Sequence, residues 1–164
     1  MKQLVKNITF VAMMLIAVSA VAQSKVKVYD PSADAKKDIK EAVTLAKKEN
    51  KNVLLKIGGN WCPWCIKFHK YIYDTPELKK MVNDNYVVVN VNYSKENKNL
   101  DVLAELGYPQ RFGFPVFVIL DQDGNRIHTQ NSAYLESGKG YDMAKVKSFF
   151  KNWSPSALNP ANYK

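Results

Sequence analysis

The feature that most constrains this chain is a pair of cysteines, two residues apart, that follows a short apolar run. Residues 53–57 have the sequence VLLKI, and residues 58–65 have the sequence GGNWCPWC. The apolar run predicts a buried strand, and Cys62 is expected to begin a helix that carries Cys65 one turn later. A strand that delivers two cysteines to the start of a helix is the geometry of a dithiol that can be oxidised and reduced repeatedly.

The spacing of these cysteines also indicates why the chain has them. They are the only two cysteines among its 164 residues. A bond between Cys62 and Cys65 would close a very short loop, and the stability that a disulfide adds grows with the length of the loop it closes. The pair is therefore better explained by its reactivity than by structural stapling.

The first 22 residues have the pattern of a secretory signal peptide. Two lysines open the chain, residues 8–18 are almost wholly apolar, and small residues at 20–22 are spaced for cleavage before Gln23. An uncleaved membrane anchor is the alternative, although the apolar run is short for a span of about 20 residues. We therefore predict a periplasmic or secreted protein with no stable membrane insertion after cleavage.

The chain is basic, with a formal net charge of +9. Cleavage after residue 22 would leave 22 basic and 15 acidic residues, a net charge of +7. Lysines alternate with acids, as at 36–38 and 47–49. A solvated exterior explains this pattern better than a nucleic-acid site does, so no nucleic-acid partner is expected.

The hydrophobic pattern predicts strands and helices in the order β α β α α β α β β α over residues 25–153. The first strand is expected at 25–29, with Val26 and Val28 on one face, and the first helix at about 34–49. The later elements are expected at about 62–71, 76–84, 86–91, 99–106, 116–120, 126–129 and 141–153. This order predicts an α/β fold, a mixed central sheet with helices on both faces. The tail over 154–164 is expected to lack regular structure.

That order, the W-C-P-W-C motif at 61–65 and the G-F-P segment at 113–115 resemble the thioredoxin family, in particular its exported bacterial members. The resemblance covers roughly residues 25–153. It implies a thioredoxin-like domain over 23–153, between the signal peptide and the tail. It also implies a monomeric thiol–disulfide oxidoreductase that needs no bound cofactor. Such an enzyme exchanges disulfides with protein substrates and depends on a redox partner protein.

The resemblance assigns Cys62 as the attacking thiol and Cys65 as the resolving thiol. The predicted position of Cys62 agrees with this assignment. Free backbone N–H groups and the helix dipole at a helix N-terminus favour an anion, and this lowers the pKa of a thiol. Cys65, one turn further along, would attack the mixed disulfide and release the reduced product.

Five neighbouring residues are expected to contact the substrate. The resemblance makes Pro115 a cis-proline that faces the dithiol and turns the backbone of Phe114 toward a docked peptide. The alternative is a trans-proline at the start of an edge strand. Trp61 and Trp64 would form apolar lips beside the first cysteine, or else belong to the core. Pro63 suits the first helical turn, where no N–H is required.

The sequence departs from the family pattern at Lys56, where thioredoxins usually carry a buried acid. A desolvated lysine would have a lowered pKa and could act as a neutral base toward Cys65. Alternatively, its cation would stabilise a thiolate and make the pair more oxidising. In a third possibility, the stem packs while the ammonium group reaches water.

Two other functions stay open. Cys62, Cys65 and His69 could share a helix face and bind copper, as in a metallochaperone. Copper carriers of this fold usually space their cysteines one residue wider, so no metal site is predicted. The other alternative is a non-catalytic thioredoxin-fold binding module, because a fold alone does not fix function. The presence of both cysteines and Pro115 argues against it.

Overall fold

The computed structural model describes residues 27–164, so the predicted signal peptide at 1–22 lies outside the described residues. The helices in this part are α1 Ala35–Glu49, α2 Pro63–Asp74, α3 Pro76–Asn85, α4 Leu100–Glu105 and α5 Met143–Asn152. The strands are β1 Asn52–Gly58, β2 Tyr86–Asn92, β3 Val116–Leu120, β4 Arg126–Asn131, β5 Glu136–Ser137 and β6 Gly140–Tyr141. Across these residues, every helix is too short or too polar to cross a membrane.

The central sheet of the described residues has the strand order β2-β1-β3-β4. Strand β1 pairs in parallel with β2 and antiparallel with β3, and β3 pairs antiparallel with β4. Strands β5 and β6 form a separate ribbon. The sheet is therefore mixed, as the sequence predicts, and β1 lies inside it with a neighbour on each side.

Helices cover both faces of this sheet, which confirms the predicted α/β architecture. Leu55 and Ile57 of β1 point to the face that α1 and α4 cover, where Ala46 and Leu103 are fully buried. Leu54 points to the opposite face, into the core that α2, α3 and α5 form with the sheet. Every residue of β1 is buried, which explains why its sequence is a continuous apolar run instead of an alternating one.

Helix α1 has the boundaries that its capping residues predict. The Asp34 carboxylate accepts a hydrogen bond from the Lys37 N–H at 3.0 Å, which satisfies a free donor of the first turn. The helix ends at Asn50, which has the left-handed conformation (φ 55°) that asparagine tolerates.

The strand predicted at 25–29 is wrong for the part that the structure describes, since residues 27–30 join no sheet. The N–H groups of Val28 and Tyr29 both donate to the Oδ1 of Asn60, at 2.8 and 3.0 Å. A side chain therefore takes the donors that a neighbouring strand would need. Tyr29 is buried, with 2% of its surface exposed, whereas Val28 is only half-buried.

The tail is more regular than the sequence predicts. It contains a 3₁₀ turn at Pro160–Tyr163, and the Tyr163 hydroxyl donates to the Ala157 carbonyl at 2.6 Å. Ser154 is buried where the tail leaves α5. The turn begins with Pro160, which suits the first position of a helical turn because its missing N–H is not needed there.

Candidate active site

Cys62 and Cys65 form a disulfide at the start of α2, with their Cα atoms 5.3 Å apart. Cys62 is the N-cap of the helix, and its Sγ accepts a hydrogen bond from the Cys65 N–H at 3.1 Å. Pro63 occupies the first helical position, as predicted, and is exposed. Cys62 keeps 4% of its surface exposed and Cys65 none. Cys62 is therefore the sulfur that a partner can reach first.

The end of β1 comes very close to this disulfide. A Cβ atom on Gly58 would lie 2.5 Å from the Sγ of Cys65, closer than real Cβ contacts come. Only a residue without a side chain lets α2 place its second cysteine against the strand. Gly58 thus fixes the depth at which Cys65 is buried.

Trp61 forms an exposed apolar lip beside the disulfide. Its side chain is 56% exposed, so the alternative that it belongs to the core is wrong. Its ring meets the ring of Phe114 edge-on at 5.6 Å between centroids. Its indole N–H donates to the Tyr93 carbonyl at 2.6 Å, which fixes the orientation of the ring.

Trp64 is intermediate between the two predicted roles. It is half-buried and packs both on the core beneath α2 and on the cluster around the cysteines. Its ring meets the Tyr141 ring edge-on at 5.4 Å, and the Lys67 ammonium lies 4.4 Å above it. Part of the indole is therefore a core contact and part faces the surface near the disulfide.

The Phe114–Pro115 peptide bond is cis, so the alternative of a trans-proline is wrong. Pro115 immediately precedes β3. The half-buried Phe114 side chain packs against the cluster that contains both cysteines. The structure thus brings the segment before β3 next to the start of α2, as the resemblance implies.

Lys56 is fully buried on the face of β1 that α2 covers. Its Nζ lies 3.1 Å from the Nδ1 of His69, which is on α2, and 5.4 Å from the centre of the Tyr73 ring. The possibility that its ammonium reaches water is therefore wrong. Burial lowers the pKa of Lys56 from 10.5 to about 7. Burial and the Lys56 charge lower the pKa of His69 to about 4, so His69 is neutral at pH 7 and can accept through Nδ1.

The geometry gives no support to the copper alternative. The Nδ1 of His69 is hydrogen-bonded to Lys56, and the sulfurs of Cys62 and Cys65 are joined in a disulfide. Within residues 27–164, no group of three or more His, Cys, Asp or Glu side chains could hold a metal ion. His69 instead belongs with Lys56 as a buried polar pair.

Sequence reasoning missed two residues of this site, Asn60 and Tyr29. Besides accepting from two backbone N–H groups, Asn60 donates through Nδ2 to the Tyr29 carbonyl at 2.6 Å. This amide ties residues 27–30 to the loop that precedes Trp61. The Tyr29 ring packs against both cysteines. One asparagine in a loop gives no sequence signal, and the predicted strand grouped Val26 with Val28 on one face and gave Tyr29 no role.

A reversible bond between two sulfurs, one reachable and one buried, is suited to exchange with the sulfurs of another molecule. On this fold and with this site, the protein is a thiol–disulfide oxidoreductase with the thioredoxin fold. A family model described as thioredoxin-like matches residues 34–122. The chain belongs to the thioredoxin-like family.

Individual relatives agree with this class. The chain is 28% identical over 120 residues to the disulfide bond reductase DsbH of Chlamydia pneumoniae, covering 68% of this chain and 69% of that protein. It is 31% identical over 83 residues to the thiol:disulfide interchange protein DsbD of Cronobacter sakazakii, covering 51% of this chain but only 14% of that much longer protein. The structure of a disulphide isomerase from Xylella fastidiosa Temecula1 matches with a TM-score of 0.70 at 25% identity, over 79% of this chain and 98% of that one.

Proposed function

We propose that this protein is exported and exchanges disulfides with protein substrates through Cys62 and Cys65. The thiolate of Cys62 attacks a substrate disulfide, forms a mixed disulfide and releases one substrate thiolate. The thiolate of Cys65 then attacks the Sγ of Cys62 and releases the second. The substrate gains two electrons, the dithiol loses them as the disulfide forms, and a redox partner protein returns them. The same steps in reverse oxidise a substrate dithiol, and neither direction uses a bound cofactor.

The observation that carries this proposal is the unequal placement of the two sulfurs at the start of α2. Cys62 is the N-cap and accepts the Cys65 N–H, so a thiolate there is stabilised by a hydrogen bond and by the helix dipole. Cys65 lies beneath it with no exposed surface. A substrate therefore meets Cys62 first, and Cys65 acts only on the mixed disulfide.

We also propose that the residues around Cys62 form the substrate surface. Trp61 and Pro63 are exposed, while Trp64 and Phe114 are half-buried beside them. The backbone next to Pro115 could pair with an extended substrate segment as an added strand. The names of the DsbH and Xylella relatives, a disulfide bond reductase and a disulphide isomerase, support protein disulfides as the substrate class.

Export is supported by the basic opening, apolar stretch and small residues of the first 22 positions. We propose that the exported protein begins at Gln23 and acts as a monomer. Mass spectrometry of the cell-envelope and secreted fractions tests this, and a chain that keeps residue 1 in the cytosol would contradict export.

Turnover of a disulfide substrate tests the proposed function directly. We expect the purified protein to accelerate insulin reduction by dithiothreitol or the refolding of a scrambled disulfide protein. Cys62→Ser should be inactive in both assays, because no sulfur then reaches the substrate. An unmodified protein no faster than this variant in either assay would favour the non-catalytic binding module.

We further propose that Lys56 and its partner His69 modulate the dithiol. Lys56 lies two residues before Gly58 on the same face of β1, about 7 Å along the strand from the glycine that touches Cys65. His69 lies one turn after Cys65 on α2. The pair thus lies two strand residues from Gly58 and one helical turn from the buried sulfur, and a proton on Lys56 would favour a thiolate nearby.

Lys56→Met should change how stability depends on pH. Lys56 has a folded pKa of about 7, below its ordinary 10.5, so the unfolded chain binds more protons between these pH values. The free energy of unfolding of the unmodified protein should therefore increase as pH rises from about 7 to about 10. Below about pH 7 both the folded and the unfolded chain carry the proton, so this group causes no further change in stability. Lys56→Met should lack this gain, as measured by urea denaturation at a series of pH values.

The matched control is Lys70→Met, which removes an exposed lysine from the same helix as His69 and should keep the pH dependence of the unmodified protein. At pH 7, Lys56→Met should also shift the reduction potential by about 30 mV toward negative values, a tenfold change in the exchange equilibrium. An unchanged potential would show that Lys56 does not act on the thiols.

A further inference from the structure

Tyr29 is held against the disulfide by contacts that leave its hydroxyl group free. Its ring is 2% exposed and packs against Cys62 and Cys65. Its backbone is fixed on both sides by Asn60, whose Oδ1 accepts the Tyr29 N–H at 3.0 Å and whose Nδ2 donates to the Tyr29 carbonyl at 2.6 Å. Tyr29 is therefore tied to the loop that leads into the active site.

The buried hydroxyl of Tyr29 has no hydrogen-bond partner among the described residues. A Cβ atom on Gly58 would lie 3.1 Å from this oxygen and 2.5 Å from the Sγ of Cys65. The oxygen and the sulfur thus lie within about 3 Å of one point beside the glycine. Burial raises the pKa of the phenol, so the group keeps its proton and remains a donor.

A buried donor without an acceptor is unfavourable, and a phenylalanine would fill the same space without it. In the disulfide, the Sγ of Cys65 is a weak, uncharged acceptor. Once Cys62 is bound to a substrate sulfur, Cys65 is free. Its proton passes to the substrate thiolate that was released in the first step, and the resulting Cys65 thiolate is a far stronger acceptor. The acceptor that Tyr29 lacks in the oxidised protein is therefore created beside it when the disulfide opens.

We propose that the Tyr29 hydroxyl donates a hydrogen bond to the Sγ of Cys65 whenever the Cys62–Cys65 bond is open, and stabilises the thiolate that resolves the mixed disulfide. In that step Cys65 forms a bond to the Sγ of Cys62 and the bond from Cys62 to the substrate sulfur breaks. The substrate leaves as a thiolate with the electron pair, and the proton stays on Tyr29. This role rests on the proposed exchange at Cys62 and Cys65.

Tyr29→Phe tests the proposal, since it removes one oxygen and keeps the ring. At equilibrium with glutathione at pH 7, we expect the reduced form to lose about tenfold in population relative to the disulfide, a shift of about 30 mV toward negative potential. Resolution of a preformed mixed disulfide should slow by a similar factor. The thermal stability of the oxidised variant should be equal or higher, because the hydroxyl has no partner in that state, whereas the reduced variant should be less stable.

The matched control is Tyr86→Phe. Tyr86 is also buried, but its hydroxyl donates to the Phe150 carbonyl at 2.7 Å. Both residues belong to the core that α2, α3 and α5 form with the sheet. This variant should lower the stability of both redox forms alike and leave the potential unchanged. If Tyr29→Phe shows the potential and resolution rate of the unmodified protein, the proposal is overturned while the exchange at Cys62 and Cys65 stands. If the unmodified protein does not interconvert with glutathione at all, both proposals fail.

Discussion

Replacing Gly58 by alanine is expected to destabilise the oxidised protein by about 1–3 kcal/mol, the range for overfilling a packed interior. The added methyl carbon would lie 2.5 Å from the Sγ of Cys65 and 3.1 Å from the Tyr29 hydroxyl. The sulfur cannot rotate away, because it is bonded to Cys62. In the reduced protein the Cys65 side chain is free to turn, so the penalty should be smaller. The reduction potential should therefore rise, and the protein should become more oxidising.

Urea denaturation of the oxidised and reduced forms, together with glutathione equilibration, measures both effects of Gly58→Ala. Gly140→Ala is the matched control, because a Cβ atom on Gly140 meets nothing within 4 Å and its backbone is not left-handed. It should change neither the stability nor the potential. A Gly58→Ala protein as stable as the Gly140→Ala protein in the oxidised form would contradict the close approach of β1 to the disulfide.

Cys65→Ser is expected to trap substrates as mixed disulfides on Cys62. The substitution keeps the backbone N–H at position 65, which still stabilises the Cys62 thiolate at the start of α2, so the attack on a substrate disulfide remains. The second step is lost, because an internal thiol, whose effective concentration can reach about 10⁵ M, is replaced by external thiols at millimolar levels. The lifetime of the mixed disulfide should increase by at least about a thousandfold. Non-reducing electrophoresis with insulin as the substrate measures it.

The variant with both cysteines replaced by serine and the variant Cys62→Ser are the controls for this trap. Neither should form a long-lived adduct. The double variant has no cysteine left, and in Cys62→Ser the remaining Cys65 has no exposed surface, so a substrate cannot reach it. Adducts on Cys62→Ser as abundant as those on Cys65→Ser would reverse the assignment of the attacking and resolving thiols.

The elements that the sequence predicts well are those whose signal is local. The continuous apolar run of β1 identifies a strand buried on both faces, and Pro63 directly after Cys62 marks the first turn of α2. Asp34 and Asn50 mark the two ends of α1. Each of these signals depends on residues within one turn or one strand, so no knowledge of the tertiary fold is needed to interpret it.

The parts that sequence reasoning missed depend on contacts between distant positions. Tyr29 is buried because Asn60, 31 residues away, takes the N–H groups that a strand would use. Lys56 is buried on the face of β1 that α2 covers, and His69 of that helix supplies its partner. Hydrophobic alternation carries no information about either partnership, so it gave no role to Tyr29 and left the environment of Lys56 undecided.

The indole of Trp61 already engages its single donor with the Tyr93 carbonyl, although more than half of the side chain faces solvent. A substrate polypeptide that docks here, as proposed above, would therefore contact an apolar surface with no free N–H group. The affinity of such a substrate for Trp61 would grow with the apolar contact area and not with the chemical identity of a particular side chain. Such a surface would suit a broad range of protein substrates, selected by the accessibility of their sulfurs.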